Sequence, residues 1–296
     1  MPLSRIKYTS VYANTKEIKK AILRKLALPK YLGDKYFCPV CDTHLRAFKP
    51  IWKSFMRQID GSHPYPYKSL QTFNWQNYSC PACDASDRER LIFLYLNRIN
   101  SLFDPQRRYR VVEFAPSPAL RRKLKHNPAF EYRSADLNRK TVDDQIDIRD
   151  MHPYRDESID VFICSHILEH VTEDRKAIRE LYRVLAKDGF GIVIVPLING
   201  MDGTDEDESA DSRESRFLRY RDGDHVRQYG IRDFQDRLQA AGFLVELLGK
   251  EFFGTEAFLK AGIALDSVLY VVKKSARPKV ASSSASAQRD ARTISQ

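Results

Sequence analysis

The sequence lacks any hydrophobic run long enough to span a membrane. Its longest apolar stretch, around Ile192–Leu197, is far shorter than the ~20 residues that a membrane-spanning helix needs. The first residues also lack the apolar core of a secretory signal. These two absences predict a cytoplasmic protein without a transmembrane segment.

Glycine is scarce, with 12 residues in a chain of 296, and it is missing where nucleotide-binding α/β proteins usually carry several. Residues 111–120, VVEFAPSPAL, have the pattern of a buried strand followed by a turn into a helix that begins near Pro118. A glycine-rich loop lets the backbone approach a pyrophosphate closely, and this loop has no glycine for that purpose. Which ligand such a loop can still hold is indicated only by the residues that follow it.

Basic residues are concentrated near the N-terminus. The formal net charge is +10, and residues 1–60 contain 13 Lys and Arg against 4 Asp and Glu. Such a basic region could meet nucleic acid, an anionic membrane surface or an acidic substrate, or it could be a solvated basic helix. Basic and aromatic residues also alternate over 46–78, a composition that suits RNA but is equally expected of a small module's core.

From residue 109 onward, segments with strand and helix patterns alternate. Nearly all-apolar strands separated by helices predict a parallel sheet covered on both faces. We therefore expect a Rossmann-like, doubly wound α/β fold with a seven-stranded, mostly parallel sheet. The predicted strands are 109–115, 131–136, a short one near 145–148, 160–165, 190–196, 243–248 and 267–273, and the predicted helices are 118–126, 173–186 and 231–241.

Four regions are expected along the chain. They are a basic N-terminal helical segment (1–35, with a helix over 14–28), a small four-cysteine module with a linking helix (36–98), the α/β domain (99–274) and a disordered tail (275–296). Within the α/β domain, residues 199–229 are largely acidic and show no periodicity. They predict a long mobile loop that could close over a substrate as a lid.

Four of the five cysteines form two C-P-x-C pairs. Thiolates from two such turns can close a tetrahedron around zinc, and four thiolates leave no open position for water. We therefore expect a structural Zn²⁺ ion in a zinc-ribbon-like module, with free thiols or a redox pair as the alternatives. The fifth cysteine, Cys164, lies in an apolar strand and is expected to be an inert core residue. The predicted zinc ligands are Cys38, Cys41, Cys80 and Cys83.

The strongest indication of function lies between residues 134 and 197. The chain reads SADLN, then PYRDESID, then LEH and then ELYRVL, with Asp188-Gly189 shortly after. This succession resembles the class I S-adenosylmethionine (SAM)-dependent methyltransferases, in particular the type 11-like branch, over roughly residues 109–273. The resemblance implies a SAM-binding domain and also accounts for the missing glycines. SAM has no phosphate, and its methionyl carboxylate can be received by a helix N-terminus.

The resemblance assigns roles to individual residues. Asp136 would accept hydrogen bonds from the ribose hydroxyls, Asp147 and Ile148 would meet adenine, and Glu113 would orient the ammonium group. Ser117 suits an N-cap before Pro118, and Ala115 keeps the wall small. The predicted cofactor-binding residues are Glu113, Ala115, Pro116, Ser117, Asp136, Leu137, Asp147, Ile148, Ser165 and His166.

Three histidines are candidates for a catalytic base. A base assists methyl transfer when the acceptor is a hydroxyl or a protonated amine, and His166, His170 and His225 are the candidates, each with a structural role as the alternative. The stretch His166-Ile-Leu-Glu169-His170 formally spells the inverted zinc-protease signature. Because its first histidine is expected at the end of a strand rather than on a helix, we do not expect zinc hydrolysis.

Three functions remain open at this point. The first is SAM-dependent methyl transfer to a small molecule or a saccharide. The second is RNA methylation, with the basic module binding RNA. The third is a non-catalytic protein that keeps the SAM-binding fold. The sequence favours the first, because no Asn-Pro-Pro-Tyr-type motif for methylation of an exocyclic amine is present.

Overall fold

A computed structural model describes residues 19, 21–51, 65 and 69–274 of the chain. Residues 21–27 of the predicted basic helix over 14–28 are helical, and residues 14–18 and 20 lie outside the described part. The tail over 275–296 and much of the segment 46–78 lie outside it as well. Among the described residues, no helix is both long enough and apolar enough to cross a bilayer.

Among its described residues, the four-cysteine module contains a small antiparallel hairpin, two turns and one helix. The hairpin strands are β1 (Leu32–Cys38) and β2 (Thr43–Leu45), and the linking helix is α1 (Asp87–Arg98). Ser86 caps α1: its hydroxyl accepts from the Glu89 amide while the Glu89 carboxylate accepts from the Ser86 amide. This reciprocal pair is a capping box, which satisfies two amides that the helix itself leaves free.

The α/β domain is built on a seven-stranded sheet, as predicted. In space the strands run β5-β4-β3-β6-β7-β9-β8; the first five are mutually parallel, and β9 pairs antiparallel with both β7 and β8. The sheet is therefore mostly parallel. Its strands are β3 (Tyr109–Phe114), β4 (Phe130–Asp136), β5 (Asp144–Gln145), β6 (Ile159–Ser165), β7 (Leu185–Ile194), β8 (Phe243–Leu248) and β9 (Leu269–Lys274).

Helices cover both faces of this sheet. On one face, α1 and α2 (Pro118–Lys125) bury Leu91 and Leu120 against β3 and β6, and on the other face α3 (Asp174–Val184) buries Leu181. Helix α5 (Ile231–Ala240) lies on the same side as α3 and ends before Gly242, whose φ of 104° suits glycine. Two short helices precede β9: α6 (Lys250–Phe253) and α7 (Thr255–Lys260).

A buried arginine joins the cysteine module to the α/β domain. Arg90 of α1 is 0% exposed, and its guanidinium donates hydrogen bonds to the backbone carbonyls of Ala261 and Gly262 after α7, and of Tyr78 and Ala85 in the module. Module side chains and sheet side chains also belong to one continuous hydrophobic core. The module is thus packed as part of the main body of the described structure.

The acidic segment 199–229 is more ordered than predicted. Helix α4 (Arg213–Tyr220) lies within it and has Ser212 as its N-cap. Arg219 of this helix forms ion pairs with the carboxylates of Asp205 and Asp207. The expectation of a structureless loop was wrong because it counted the acidic residues as unpaired charge. Their arginine partners stand 12 or more residues further along the chain, a separation that local pattern does not register.

Candidate functional site

A cavity of about 410 Å³ opens at the carboxyl ends of β3, β4 and β6, where doubly wound sheets bind ligands. The structure brings together here six of the predicted cofactor-binding residues and one predicted base, His170. The predicted residues that line this cavity are Ala115, Asp136, Leu137, Asp147, Ile148, His166 and His170.

Two residues at the strand ends of this cavity have left-handed backbone conformations. Ala115 follows β3 with a φ of 49°, and His166 follows β6 with a φ of 56°. Residues with side chains rarely adopt this region, and such strain is concentrated at binding and catalytic sites. The turn at Ala115 therefore makes without glycine the sharp bend that a glycine-rich loop makes elsewhere.

Asp136 lies at the end of β4 with one carboxylate oxygen held by the chain itself. Its Oδ1 accepts hydrogen bonds from the amides of Asn138 and Arg139, at 2.8 and 2.9 Å, and its Oδ2 lies 3.6 Å from Arg139 Nε. The Arg139 guanidinium also donates to the carbonyl of Pro116 at 2.6 Å, so it links the two loops that border the cavity. Pro116 itself does not line this cavity and takes part only as the carbonyl acceptor of Arg139, a residue that sequence reasoning missed.

Asp147 and Ile148 also line this cavity. The Asp147 carboxylate accepts from the backbone amide and the side chain of Arg149, which lowers the pKa of Asp147 and keeps it ionised. Ile148 is buried beside it and offers an apolar surface suited to a flat ring. His152, which follows shortly after, is exposed and does not line this cavity.

A second cavity of about 540 Å³ shares Phe114 and Ala115 with the first and continues toward the cysteine module. Glu113, Ser117 and Ser165 line it, as the resemblance implies for the amino-acid end of the cofactor. The Ser117 hydroxyl caps α2 by accepting from the Leu120 amide at 3.1 Å. Ala21 and Arg24 of the N-terminal helical segment also border this cavity.

Glu113 is a buried carboxyl group in the wall of the larger cavity. It is 2% exposed, and it accepts hydrogen bonds from the Ser117 amide at 2.8 Å and from the Tyr132 hydroxyl at 2.6 Å. Burial raises the pKa of Glu113 to about 7. No cation of the described residues pairs with it, so a positively charged group of a ligand would be strongly favoured beside it.

Arg88 of helix α1 is a second residue that sequence reasoning missed. It borders the larger cavity together with Glu113 and Ser117, and its guanidinium forms no ion pair within 4.0 Å among the described residues. A guanidinium in a partly closed cavity is suited to a carboxylate, which it can bind in a bidentate manner. The Arg-x-Arg pattern of Arg88 and Arg90 was the only sequence signal for it.

The three candidate bases lie close to one another. His166 Nδ1 is 3.1 Å from Glu169 Oε1, and the rings of His170 and His225 are in edge contact with their centroids 4.7 Å apart. Burial lowers the pKa of His166 to about 4, so its ring is neutral near pH 7. His166 and His170 line the smaller cavity, whereas His225 is half-buried and does not.

The four cysteines of the two C-P-x-C pairs converge, although 38 residues separate the pairs. Cys38 and Cys83 have their Sγ atoms 3.7 Å apart, and Cys41 and Cys80 have theirs 3.8 Å apart. A zinc ion with Zn–S bonds of about 2.3 Å requires tetrahedral sulfur atoms about 3.8 Å apart, so this arrangement fits zinc.

The turns that carry the cysteines have matching geometry. Asp42 and Asp84, each directly after the second cysteine of a pair, adopt φ values of 55° and 62°. Their amides donate to the carbonyls of Cys38 and Cys80, both at 2.9 Å. The two turns are thus equivalent knuckles that aim their sulfur atoms at one point.

Comparison with known proteins agrees with this geometry. Residues 100–193 match the family described as the methyltransferase domain, Methyltransf_11. The uncharacterized methyltransferase YcgJ of Bacillus subtilis (strain 168) is 31% identical over 88 residues, which cover 30% of this chain and 32% of the relative. The chain therefore spans about a third of the length of the curated relative it matches.

Solved structures of methyltransferases also resemble the chain. The YcgJ protein of Bacillus subtilis is 16% identical with a TM-score of 0.37, and covers 61% of this chain and 98% of its own. A SAM-dependent methyltransferase of Archaeoglobus fulgidus is 15% identical with a TM-score of 0.39, and covers 62% and 91%. The match of residues 100–193 to this methyltransferase family agrees with the resemblance that the sequence motifs carry.

Proposed function

We propose that this protein transfers the methyl group of SAM to a small-molecule or saccharide acceptor. The observation that carries the proposal is the pair of cavities that meet at Ala115, with Asp136 and Asp147 in one and Glu113 in the other. One cavity suits a nucleoside with two hydroxyls and a flat base, and the other suits an ammonium group and a carboxylate. A nucleoside that also carries an amino acid requires this combination.

Each part of the cofactor has a group of this chain to hold it. The free side of Asp136 would accept from the ribose hydroxyls, and Asp147 with the backbone of Ile148 would meet adenine. Glu113 would pair with the ammonium group, while Arg88 and the N-terminus of α2 would receive the carboxylate. Ser165 and His166 at the end of β6 would border the methionine chain.

Catalysis in this site is expected to depend on positioning and on the exclusion of water. SAM supplies an activated methyl group on its sulfonium sulfur, so the protein's task is to hold an acceptor atom in line with it. Where the acceptor carries a proton, His166 or His170 at the cavity wall would remove it. His225 would act only through His170, whose ring it contacts, because it does not itself line the cavity.

A small acceptor is favoured over RNA by the way the larger cavity is enclosed. The cysteine module and the N-terminal helical segment border it, and Arg24 and Lys49 of these elements are paired with Asp84 rather than free for phosphates. RNA methylation stays the alternative, since most basic residues of 46–78 lie outside the described residues. Structural zinc at Cys38, Cys41, Cys80 and Cys83 is part of the proposal, as is the view that the domain is catalytic rather than a binding module.

The cofactor assignment is tested by the affinity for SAM, measured by titration calorimetry. Because Asp136→Ala removes a charged acceptor for two hydroxyls, with each such bond worth about 1.5–3 kcal/mol, we expect affinity to fall at least tenfold. Asp150→Ala, which removes an exposed carboxylate outside both cavities, should bind SAM as the parent does. Equal affinities of the two variants would refute the assignment of Asp136, and absence of binding by the parent would refute the proposed function. Incubation of cell extracts with methyl-labelled SAM then identifies the acceptor.

A further inference from the structure

Glu169, His170 and His225 form a compact cluster at the wall of the smaller cavity. One ligand atom of each residue lies within 4.8 Å of the others. Glu169 and His170 belong to a single 3-10 turn, Leu168–His170, after β6, and His225 comes from the segment that follows α4. Neither the cofactor contacts nor the cysteine module accounts for this cluster.

Glu169 is the most unusual member, because its carboxylate is buried without hydrogen bonds. The residue is 1% exposed, and neither of its oxygens accepts a hydrogen bond from any described residue. His166 Nδ1 approaches Oε1 to 3.1 Å, but the contact lacks the alignment of a hydrogen bond. A buried carboxylate without donors is strongly unfavourable unless a cation compensates for it.

The buried Nδ1 of His225 has no hydrogen-bond partner among the described residues. His170 has one ring nitrogen held by the backbone and one that is free. His170 Nδ1 lies 3.2 Å from the carbonyl oxygen of Asp224, which can only accept, so Nδ1 carries the proton and Nε2 keeps its lone pair. Metal-binding histidines are typically fixed in this way, with a backbone carbonyl on the nitrogen that does not bind the metal.

We propose that Glu169, His170 and His225 bind a divalent transition-metal ion beside the cofactor cavity. Two imidazole nitrogens and one carboxylate suit Zn²⁺, Mn²⁺ or Fe²⁺ better than Mg²⁺ or Ca²⁺, which prefer oxygen ligands. Ligand atoms around such an ion lie about 3 to 3.5 Å apart, so the three side chains would have to close by up to about 1–2 Å on binding.

Three protein ligands leave coordination positions open, as in metal sites that bind a substrate. His170 lines the smaller cavity, so in this proposal the open positions lie at the wall of that cavity. An acceptor oxygen would bind there and become easier to deprotonate. This use of the ion rests on the proposed function, and it leaves His166 as the remaining candidate base.

Mn²⁺ is the probe for this site, because its preference for nitrogen and oxygen ligands leaves the thiolates to zinc. The full chain is titrated with Mn²⁺ and the free ion is followed by electron paramagnetic resonance. We expect one Mn²⁺ per chain in the parent, and at least a tenfold weaker affinity in Glu169→Gln and His225→Ala. His152→Ala is the matched control, because it removes an exposed histidine outside the cluster and should bind as the parent does.

A second measurement and a replacement variant keep the outcome decisive. Thermal unfolding should show stabilisation by Mn²⁺ in the parent and none in Glu169→Gln. If Glu169→Gln or His225→Ala does not fold, His170→Ala is used in its place, because His170 is exposed and its removal should not disturb folding. Absence of Mn²⁺ binding by a parent that binds SAM would overturn this inference alone, as would parent-like binding by the variants. A parent that binds Mn²⁺ but not SAM would overturn only the proposed function.

Discussion

At the scale of single residues, the site depends on charged groups whose environment differs from that of an exposed side chain. Glu113 of β3 is buried with two neutral hydrogen-bond donors, and Arg88 faces the same cavity without an ion pair among the described residues. Two such groups of opposite charge match the two ends of an amino acid. The unliganded site therefore carries charges that a zwitterionic ligand would neutralise.

Glu113 makes the stability of the ligand-free protein depend on pH. Since burial raises the pKa of Glu113 from 4.5 to about 7, the folded protein holds a proton that the unfolded chain has released, and its stability falls as pH rises through that interval. Glu113→Gln should lack this pH-dependent loss of stability. In the parent the loss is on the order of 3 kcal/mol, at about 1.4 kcal/mol per pKa unit.

Urea unfolding of the parent and of Glu113→Gln between pH 4.5 and 7.5 measures the difference in their stabilities. Any pH-dependent contribution of the cysteines is the same in both proteins, so it cancels in this comparison. Glu131→Gln, an exposed position on the next strand, serves as the control. Parallel pH profiles for the parent and Glu113→Gln would show that this carboxyl group is not the cause.

At the scale of elements, the acidic segment is held to the α/β domain by a buried ionic network. The Arg227 and Arg237 side chains are 5% and 6% exposed, and both contact Glu206 as well as Asp174. These contacts lower the pKa of Glu206 to about 2, against the effect of its partial burial. The segment that carries His225 is therefore positioned by α3 and α5 and not by its own sequence pattern.

Removal of Glu206 should weaken this attachment. Glu206→Ala leaves two buried guanidinium groups to share Asp174, which we expect to lower the free energy of unfolding by about 1–3 kcal/mol, since Glu206 itself is partly exposed. Glu208→Ala removes a nearby exposed carboxylate without an ion pair among the described residues, and should change stability by less than about 0.5 kcal/mol. Thermal unfolding of both variants provides the measurement, and equal melting temperatures would contradict the role given to Glu206.

At the scale of the whole molecule, the cysteine module and the α/β domain share one core. Cys38, Cys80 and Cys83 are buried in the same hydrophobic cluster as Leu120 of α2 and Val111 of β3. Arg90 adds hydrogen bonds from α1 to the carbonyls that follow α7. The module should therefore unfold together with the sheet rather than as a separate unit.

Loss of the metal should consequently destabilise the entire protein. Cys38→Ser removes one of four thiolates, so we expect loss of one stoichiometric zinc ion and a lower melting temperature in a single calorimetric transition. Cys164→Ala changes a buried cysteine outside the tetrahedral set and should keep the zinc. If Cys38→Ser retains one zinc ion per chain, the four-cysteine assignment fails; two separate transitions in the parent would contradict the shared core.

The elements were largely predictable because their signals are local. The periodicity of residues 160–165 and 173–186 led to β6 and α3 within two residues. The acidic segment was predicted wrongly for the same reason, because no local pattern connects Glu206 with Arg237. The domain boundaries and the roles of the site residues stay predictions.

The sequence by itself determined the α/β class, the seven-stranded, mostly parallel sheet and the set of four cysteines, because periodicity, motif and spacing are properties of neighbouring residues. Only the tertiary structure decided which charges are buried and what they face. In the folded structure the Tyr132 hydroxyl donates to Glu113, Arg88 borders a cavity, and His225 lies close to Glu169, which is 56 positions away in the sequence. Burial and long-range contact arise when distant segments pack, so a reading along the chain does not contain them.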